Sequence, residues 1–327
     1  MTLLQLGDYP RGLAEHEWRW KTGQFTPFHC PHPRWDGNPI PEKTLLIHTE
    51  QGAGDAIQFA RYVPLAAERA GKLIVVCTRD LFPLFASLPG IAEIREPGTL
   101  KVTEFDTYLP LLSLPYVFGT TFATIPNPGP TFDIALLGRR KTLTLPPPLV
   151  ESRLKVGLVW AGSSTHRNDR NRSCPLGEFV PLLRMYGIAC YSLQKGEGRQ
   201  DLSQLPADCR VQDLDPLIGD YADTALLVDA LDLIVTVDTS VAHLAGALGK
   251  PVWLLLPQVP DWRWGLEGET TPWYPAMRLF RQIRRADWAE VIARLITQIR
   301  EPKAPACDTS STRRPECARL SSSLIKT

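Results

Sequence analysis

No stretch of the 327-residue sequence approaches the ~18 consecutive apolar residues that a membrane-spanning helix requires. The first residues also lack the charged-then-apolar pattern of a secretory signal. Lysine plus arginine (36) nearly balance aspartate plus glutamate (35), and the net charge of +1 gives no support for nucleic acid as a partner. We therefore expect a cytoplasmic protein without a transmembrane segment, while peripheral contact with a membrane stays open.

The seven cysteines form no Cys-x-x-Cys pair and show no regular spacing, which argues against a disulfide framework. Reduced thiols in a cytoplasm-like compartment are the simpler interpretation. Cys30 lies between His29 and His32, but zinc normally requires four well-spaced ligands. A polar loop is the favoured interpretation there, and we expect no metal site.

A complete Gly-x-Gly-x-x-Gly fingerprint is also missing. Gln51-Gly52-Ala53-Gly54-Asp55 matches only part of it, and the acidic strand end that should follow is absent. This argues against a nicotinamide-dependent dehydrogenase, although the segment still predicts a turn that opens a helix.

The most informative stretch that is present runs from Leu233 to Leu256. It begins with an uninterrupted aliphatic and β-branched run, which is typical of a strand buried on both faces of a parallel sheet. Asp238-Thr239-Ser240 follows, a cluster of helix N-cap residues, and the next Ala/Leu-rich segment ends at Gly249 before another strand. The pattern predicts a βαβ unit whose polar residues lie at the carboxyl edge of the sheet, where open α/β folds bind ligands.

A helix that starts at this edge presents free N–H groups and the positive end of its dipole to an anion. We therefore expect a phosphate-bearing ligand between Asp238 and His243. Asp238 would accept a hydrogen bond from a sugar hydroxyl, and Thr239 and Ser240 would donate to phosphate. His243 lies one turn into the helix and would contact the ligand, with a packed structural histidine as the alternative.

Asp55 would lie at the start of a helix that follows the short buried strand Leu45-Leu46-Ile47-His48. Two interpretations stay open for it. One is a carboxylate that only caps the helix. The other is a general base that removes the proton from an acceptor hydroxyl.

Two further loops follow buried strands and carry candidate donor-binding residues. Ser163 and Arg172 belong to a loop with small hydroxylated residues and several arginines, which suit bidentate contacts with phosphate. In the next loop, Lys195 could neutralise phosphate and Gln194 could contact a base or sugar edge. A solvated charged loop and an ordinary strand-to-loop turn are the respective alternatives.

The chain as a whole predicts two α/β halves with a cleft between them. Residues 1–42 form a helical pair and a Pro-rich linker, and the pair resembles the end of a tetratricopeptide-type repeat unit. One such unit cannot bury its own apolar face, so two alternatives stay open: the chain is a fragment of a longer repeat protein, or, as we favour, the helical pair caps the following domain. Residues 43–150 form the first, acceptor-side domain, and residues 151–302 form the second, donor-side domain. Residues 303–327 are rich in Ser, Thr, Arg and Pro and are expected to be a disordered tail.

Three motifs together resemble the ADP-heptose–lipopolysaccharide heptosyltransferase family, glycosyltransferase family nine. They are Gly54-Asp55-Ala56-Ile57, Arg172-Ser173-Cys174-Pro175 and Asp238-Thr239-Ser240-Val241-Ala242-His243-Leu244-Ala245. The similarity covers about residues 43–300. It is strongest to tetratricopeptide-linked bacterial relatives, which share the Asp-Trp-Arg-Trp and Trp-Tyr-Pro segments.

The resemblance implies a GT-B fold of two Rossmann-like domains, with Asp55 as catalytic base and donor binding by the Asp-Thr-Gly-x-x-His motif. Arg172 stands where that family has a lysine, and Ser240 replaces the glycine of the motif. We therefore expect a metal-independent glycosyltransferase that needs no cofactor besides its nucleotide-diphosphate sugar. Its acceptor would be a glycan, a lipid-linked molecule or a protein. The alternative is a non-catalytic nucleotide-sugar-binding or scaffold protein derived from such enzymes.

Overall fold

The structure is a computed structural model that describes residues 1–23, 27–127 and 129–301. The expected tail, residues 303–327, lies outside the described residues. The chain begins with two short helices, α1 (Thr2–Gln5) and α2 (Tyr9–His16). Asp8 caps α2 by accepting a hydrogen bond from the backbone N–H of Arg11 at 3.3 Å. The chain turns between the two helices at Gly7, whose φ of +82° an L side chain would rarely adopt.

The first lobe follows and is built on a four-stranded parallel sheet with the order β3-β2-β1-β4. Its elements in chain order are β1 (Ile40–His48), α3 (Ala53–Phe59), α4 (Val63–Ala67), β2 (Ala70–Val76), α5 (Phe82–Phe85), β3 (Glu93–Arg95), β4 (Thr107–Pro110) and α6 (Leu114–Val117). β1 starts before Leu45, where the hydrophobic run predicts its beginning, because Ile40 already pairs with Ala70 across a register shift. Its last four residues are buried and carry the chain to the turn before α3.

The second lobe is built on a six-stranded parallel sheet with the order β10-β9-β8-β5-β6-β7. The helix α7 (Ile134–Arg140) precedes it. Its elements are β5 (Ser152–Val159), α8 (Asp169–Arg172), α9 (Val180–Leu183), β6 (Gly187–Ser192), β7 (Val211–Asp213), α10 (Tyr221–Asp229), β8 (Leu233–Val237), α11 (Ser240–Ala247), β9 (Val252–Leu256), β10 (Met277–Arg281) and α12 (Trp288–Arg300). The predicted central βαβ unit is therefore β8–α11–β9.

Local sequence explains the central strand and the last helix of this lobe. All five residues of β8 are buried, as expected for a strand covered on both faces. In α12 the buried side chains recur three and four residues apart and form one apolar face. They are Trp288, Val291, Ile292, Leu295 and Ile296. This face belongs to a hydrophobic cluster whose residues all come from the second lobe. Asp287 caps the first turn of the helix.

The two lobes share one hydrophobic cluster, and the helical pair at the start of the chain is part of it. Leu4, Tyr9 and Leu13 are buried in this cluster. The ring of Tyr9 lies edge-on to Trp262 and Trp273 of the second lobe, with centroids 6.1 Å apart in both cases. The pair therefore caps the folded molecule across both lobes.

The stretch expected as a linker after this pair is also packed. Within residues 27–39, Trp35 is buried and its backbone N–H donates to Tyr108 O at 2.9 Å. Phe28 covers the outer face of the first sheet and stacks on His48 of β1. Pro-rich composition predicted a loop here, but it did not reveal that the loop covers a sheet face.

Candidate active site

The carboxyl ends of both sheets face each other across an interlobe cavity of about 1240 Å³. Segments that follow β1, β2, β5, β6, β7, β8 and β9 supply its walls, together with residues of the first helix. Every site residue predicted from the sequence lines it: Asp55, Ser163, Arg172, Gln194, Lys195, Asp238, Thr239, Ser240 and His243. Residues that are 188 positions apart, such as Asp55 and His243, thus come to one site because two parallel sheets end there.

The first turns of α3 and α11 meet on the floor of the interlobe cavity. A Cβ atom added to Gly54 would lie 3.1 Å from His243 Cδ2 and 3.3 Å from Ser240 Cα. Only a residue without a side chain allows this close approach of the two helices without displacing a neighbour. Gly54 therefore lets the proposed base and the proposed donor site lie next to each other.

Asp55 lies in the first turn of α3 and makes two interactions. Its Oδ2 accepts a hydrogen bond from the backbone N–H of Gly52 at 3.0 Å, which is a helix-capping contact. Its Oδ1 pairs with Nη2 of Arg263, a residue of the second lobe. The structure thus places a capping carboxylate at the cavity wall, and the two interpretations of Asp55 are compatible.

Asp238 and His243 occupy the opposite wall. Burial, reinforced by the nearby Asp261 carboxylate, raises the pKa of Asp238 to about 6. The separation of 3.9 Å between its Oδ1 and His243 Nε2 is too long for a hydrogen bond. Oδ1 of Asp238 is therefore not hydrogen-bonded to this imidazole.

The His243 ring is held by its surroundings. Its Nδ1 is 3.0 Å from the hydroxyl of Tyr274, and the ring stacks on Trp264 with 5.3 Å between centroids. Burial and the charges of Arg263 and Arg61 lower its pKa well below the usual range, so the imidazole is neutral. His243 is only 5% exposed, so the packed structural role describes most of its contacts.

Arg172 spans the ends of two neighbouring strands. Its Nη1 donates to the carbonyl of Asp238 at 3.1 Å, and its Nε donates to Asp169 Oδ1 at 3.2 Å. The guanidinium lies flat against Gly162, where an added Cβ would come within 2.2 Å of Nη2. This close contact fixes a positive charge beside the start of α11.

The start of α11 supplies the second part of an anion site. Thr239 is the N-cap residue, and its side chain makes no capping hydrogen bond. The Ser240 hydroxyl accepts a hydrogen bond from Tyr221 at 3.0 Å. The uncapped first turn of an eight-residue helix, together with Arg172, is an arrangement that suits a phosphate group.

Gln194 differs from its predicted role as a ligand contact. It is 2% exposed, and its Oε1 accepts from the N–H groups of Trp160 and Ala161 at 3.1 and 2.9 Å. Its Nε2 donates to the carbonyls of Ala161 and Lys195 at 3.0 and 2.9 Å. Because the backbone uses both ends of the amide, Gln194 joins the ends of β5 and β6 and shapes the wall.

The remaining predicted residues lie at the rim. Lys195 donates to Ile218 O at 2.9 Å and pairs with Asp215 Oδ1 at 3.0 Å, which leaves less of its charge for a ligand. Asp213 and Asp215 form an Asp-x-Asp pair, but both carboxylates are ion-paired, with Arg199 and Lys195. Ser163 is exposed and shares a hydrogen bond of 2.8 Å with Thr165.

Across residues 1–23, 27–127 and 129–301, no cluster of three or more His, Cys, Asp or Glu is placed to hold a metal ion.

Arg263 is a site residue that the sequence analysis did not identify. It belongs to the Asp-Trp-Arg-Trp segment, to which the sequence analysis assigned no role beyond the family resemblance. Its guanidinium contacts Asp55, Gln58 and Asp261. A charged residue between two tryptophans was the available signal, but its partner Asp55 is 208 positions away and only the fold brings them together.

The chain is similar to known proteins in sequence and in fold. No family model matches the sequence. The curated protein FlbA of Caulobacter vibrioides is 26% identical over an alignment of 323 positions, and the alignment covers 91% of this chain and 54% of FlbA. The chain therefore spans about half the length of this curated relative.

Solved glycosyltransferases have the same fold. ADP-heptose lipopolysaccharide heptosyltransferase II of E. coli has a TM-score of 0.51 at 15% identity, over 79% of this chain and 100% of its own. The family nine glycosyltransferase of Veillonella parvula scores 0.52 at 10% identity, over 80% and 91%. The E. coli heptosyltransferase WaaC bound to ADP-2-deoxy-2-fluoro heptose scores 0.51 at 12% identity, over 78% and 99%.

These similarities confirm the two-lobed α/β architecture of the GT-B type. The fold predicted from the resemblance is thus the one that heptosyltransferases and a family nine glycosyltransferase adopt. At such low identity the comparison defines the fold and leaves the chemistry to the site. Among the described helices, none combines the length and the apolar character needed to cross a membrane.

Proposed function

We propose that this chain is a metal-independent glycosyltransferase of the family nine type, which transfers a sugar from a nucleotide-diphosphate sugar to an acceptor hydroxyl in the cytoplasm. One observation carries the proposal. A carboxylate of the first lobe, Asp55, and an anion site of the second lobe, at Arg172, Thr239 and Ser240, line the same interlobe cavity.

The proposed reaction assigns a role to each side of the cavity. The bond between the anomeric carbon and the diphosphate oxygen breaks as the bond to the acceptor oxygen forms, and Asp55 takes the acceptor proton. Arg172 and the first turn of α11 stabilise the negative charge that develops on the departing diphosphate. Asp238, held close to that turn, accepts a hydrogen bond from a hydroxyl of the donor. No cofactor beyond this donor is required.

An ADP-linked sugar is the first donor to examine, because a structural neighbour is bound to ADP-2-deoxy-2-fluoro heptose. Ser240 adds a hydroxymethyl group where the family motif has glycine, so the donor pocket has its own shape. UDP-N-acetylglucosamine and GDP-mannose therefore belong in the same panel. We propose a glycan, a lipid-linked molecule or a protein as the acceptor.

The test combines calorimetric binding of the panel with the rate of nucleoside diphosphate release, using water and hydroxyl acceptors. We expect Asp55→Asn to lower the rate by about 10²-fold or more while donor affinity changes little. We expect Arg172→Ala to weaken donor binding by about tenfold, since it removes a charge-assisted contact. Arg184→Ala is the control, because Arg184 pairs with Asp208 on the exposed surface and does not line the cavity. Full activity of Asp55→Asn would refute the proposed function, and unchanged donor binding by Arg172→Ala would refute the anion site.

A second candidate is a nucleotide-sugar-binding protein without turnover. The observation in its favour is that both carboxylate oxygens of Asp55 already have partners, Gly52 N–H and Arg263. Calorimetric binding of a donor with no release of nucleoside diphosphate, whatever acceptor is added, would select this function over the first.

A further inference from the structure

All three guanidinium nitrogens of Arg263 have side-chain partners, and two of them reach across the interlobe cavity. Nη2 pairs with Asp55 Oδ1, Nε donates to Gln58 Oε1, and Nη1 pairs with Asp261 Oδ1 at 2.8 Å. Asp55 and Gln58 belong to α3 of the first lobe, whereas Arg263 and Asp261 follow β9 of the second lobe. The charge that faces the proposed base therefore comes from the opposite lobe.

The side chain of Arg263 is fixed before any substrate binds. Its backbone N–H donates to Asp261 Oδ1 at 3.1 Å, so the same carboxylate holds the main chain and the guanidinium. The guanidinium carbon lies 4.8 Å from the centroid of the Trp262 ring and 5.7 Å from that of Phe59. The side chain is 10% exposed. An arginine held in this way loses little conformational freedom when it orients a partner.

Electrostatics keep this guanidinium charged. Burial alone would lower the pKa of Arg263, but the carboxylates of Asp261, Asp55 and Asp238 outweigh it and raise the pKa above its usual range. Two of these carboxylates, Asp55 and Asp238, are the proposed base and a proposed donor contact. The charge of Arg263 therefore interacts with both the proposed base and a proposed donor contact.

The contact also distinguishes Asp55 from a carboxylate that merely caps a helix. A capping aspartate is held through one oxygen by its own first turn, as Gly52 N–H holds Oδ2 here. Arg263 holds the other oxygen and so fixes the rotation of the carboxylate plane at the cavity wall. Each carboxylate oxygen has two lone-pair directions, so a position remains for an acceptor hydroxyl.

We infer that Arg263 is the positioning residue for Asp55: an arginine of the donor-side lobe that orients the base of the acceptor-side lobe, so that the base is aligned only when the lobes are docked. The inference rests on the proposed function. It assigns Arg263 no contact with substrate, and its effect on the reaction passes through Asp55.

The experiment measures ADP release from ADP-heptose, with UDP-N-acetylglucosamine and GDP-mannose in parallel, by the full chain and its variants. Arg263→Lys keeps the positive charge but loses the planar guanidinium that contacts several partners at once. We therefore expect kcat to fall about tenfold or more with a nearly unchanged KM. Arg263→Gln should lower kcat by about 10²-fold, the effect expected of a misplaced catalytic group. In an Asp55→Asn background neither substitution should lower kcat further, because the residue through which Arg263 acts is already disabled.

Arg61→Met is the matched control. Arg61 is also buried and also crosses between the lobes, but it donates to carbonyls, those of Gln58, Pro126 and Trp273, at 2.9 to 3.1 Å. This variant should lose thermal stability and, assayed while folded, should retain kcat. If Arg263→Gln does not fold, Arg263→Lys and the double variants carry the test.

Several results would overturn the inference. The first is an unchanged kcat in Arg263→Lys, and the second is a further fall in kcat when an Arg263 substitution is combined with Asp55→Asn. The third is a loss of kcat in Arg61→Met as large as that in the Arg263 variants. Full activity of Asp55→Asn would instead refute the proposed function, together with this inference. A large loss in Asp55→Asn with full activity in Arg263→Lys would refute the inference alone. Donor binding without any turnover by the unmodified chain would overturn both.

Discussion

His48, the last residue of β1, is a buried imidazole that stacks on Phe28 with 4.8 Å between ring centroids. Burial, together with the charges of Arg19 and Arg34, lowers its pKa to about 4 from an ordinary value of 6.5. Between these values the unfolded chain binds a proton at this position and the folded chain does not. The stability that the neutral ring contributes is therefore complete above pH 6.5 and is lost as the pH falls towards 4.

Replacing His48 with phenylalanine should remove this acid sensitivity and keep the aromatic stack. The free energy of unfolding of His48→Phe, minus that of the unmodified protein, should rise by about 3 kcal/mol between pH 7 and pH 4. Urea titrations at fixed pH measure this difference. Glu50, whose pKa burial raises to about 7, acts in the opposite direction, and the subtraction cancels its contribution. A difference that stays constant with pH would contradict the account.

Sequence patterns predicted several residues that line the interlobe cavity but not what each one contacts. Asp238 and Thr239 follow a fully buried strand, so their place at the sheet edge was predictable. The role of Gln194 was not, because whether an amide faces a ligand or its own backbone depends on how two strand ends lie together. Arg263 was missed for the same reason, since its partners are distant in sequence.

At the scale of elements, the contact between α3 and α11 is the feature that joins the two halves of the site. Its existence follows from predicted pieces, a Gly-rich turn before one helix and an N-cap cluster before the other. The short distance between the two helices could not be predicted, because no local pattern shows which glycine faces which backbone. Gly54 is the residue at that contact, with Ser240 Cα 3.3 Å from where its Cβ would be.

Gly54→Val should therefore separate the two helices. The added methyl groups would meet the Ser240 backbone and the His243 ring, and overpacking of this kind costs about 1–3 kcal/mol of folding stability. The rate of donor turnover should also fall, because Asp55 would move away from the anion site. Gly177→Val is the control, since nothing lies within 4 Å of a Cβ at that exposed glycine. Urea midpoints and turnover rates measure both effects, and equal behaviour of the two variants would refute the role of the contact.

At the scale of the whole molecule, the two lobes are joined by more than the site. One hydrophobic cluster includes Leu4 of α1, Leu45 of β1 and Leu254 of β9. Arg61 and Arg263 add hydrogen bonds from one lobe to the other. The two-lobed plan could be predicted from alternating strands and helices, but this shared core could not, because composition does not show which faces of separate lobes meet.

Because the core is shared, heating should unfold both lobes in a single calorimetric transition. ADP at about a hundred times its dissociation constant should raise the free energy of unfolding by about 2.7 kcal/mol. Adenosine, which lacks the diphosphate, is the matched ligand and should stabilise much less if Arg172 and the start of α11 hold phosphate. Two separate transitions would show that the lobes unfold independently, and equal stabilisation by adenosine would argue against the anion site.

The position of α1 has a practical consequence for these measurements. Met1 and Gln5 line the interlobe cavity, and Gln5 Nε2 donates to Pro260 O at 3.2 Å. Any residues joined before Met1 would therefore start at the wall of this cavity. Turnover rates of preparations that differ only in what precedes Met1 would show whether such a segment obstructs access to the cavity.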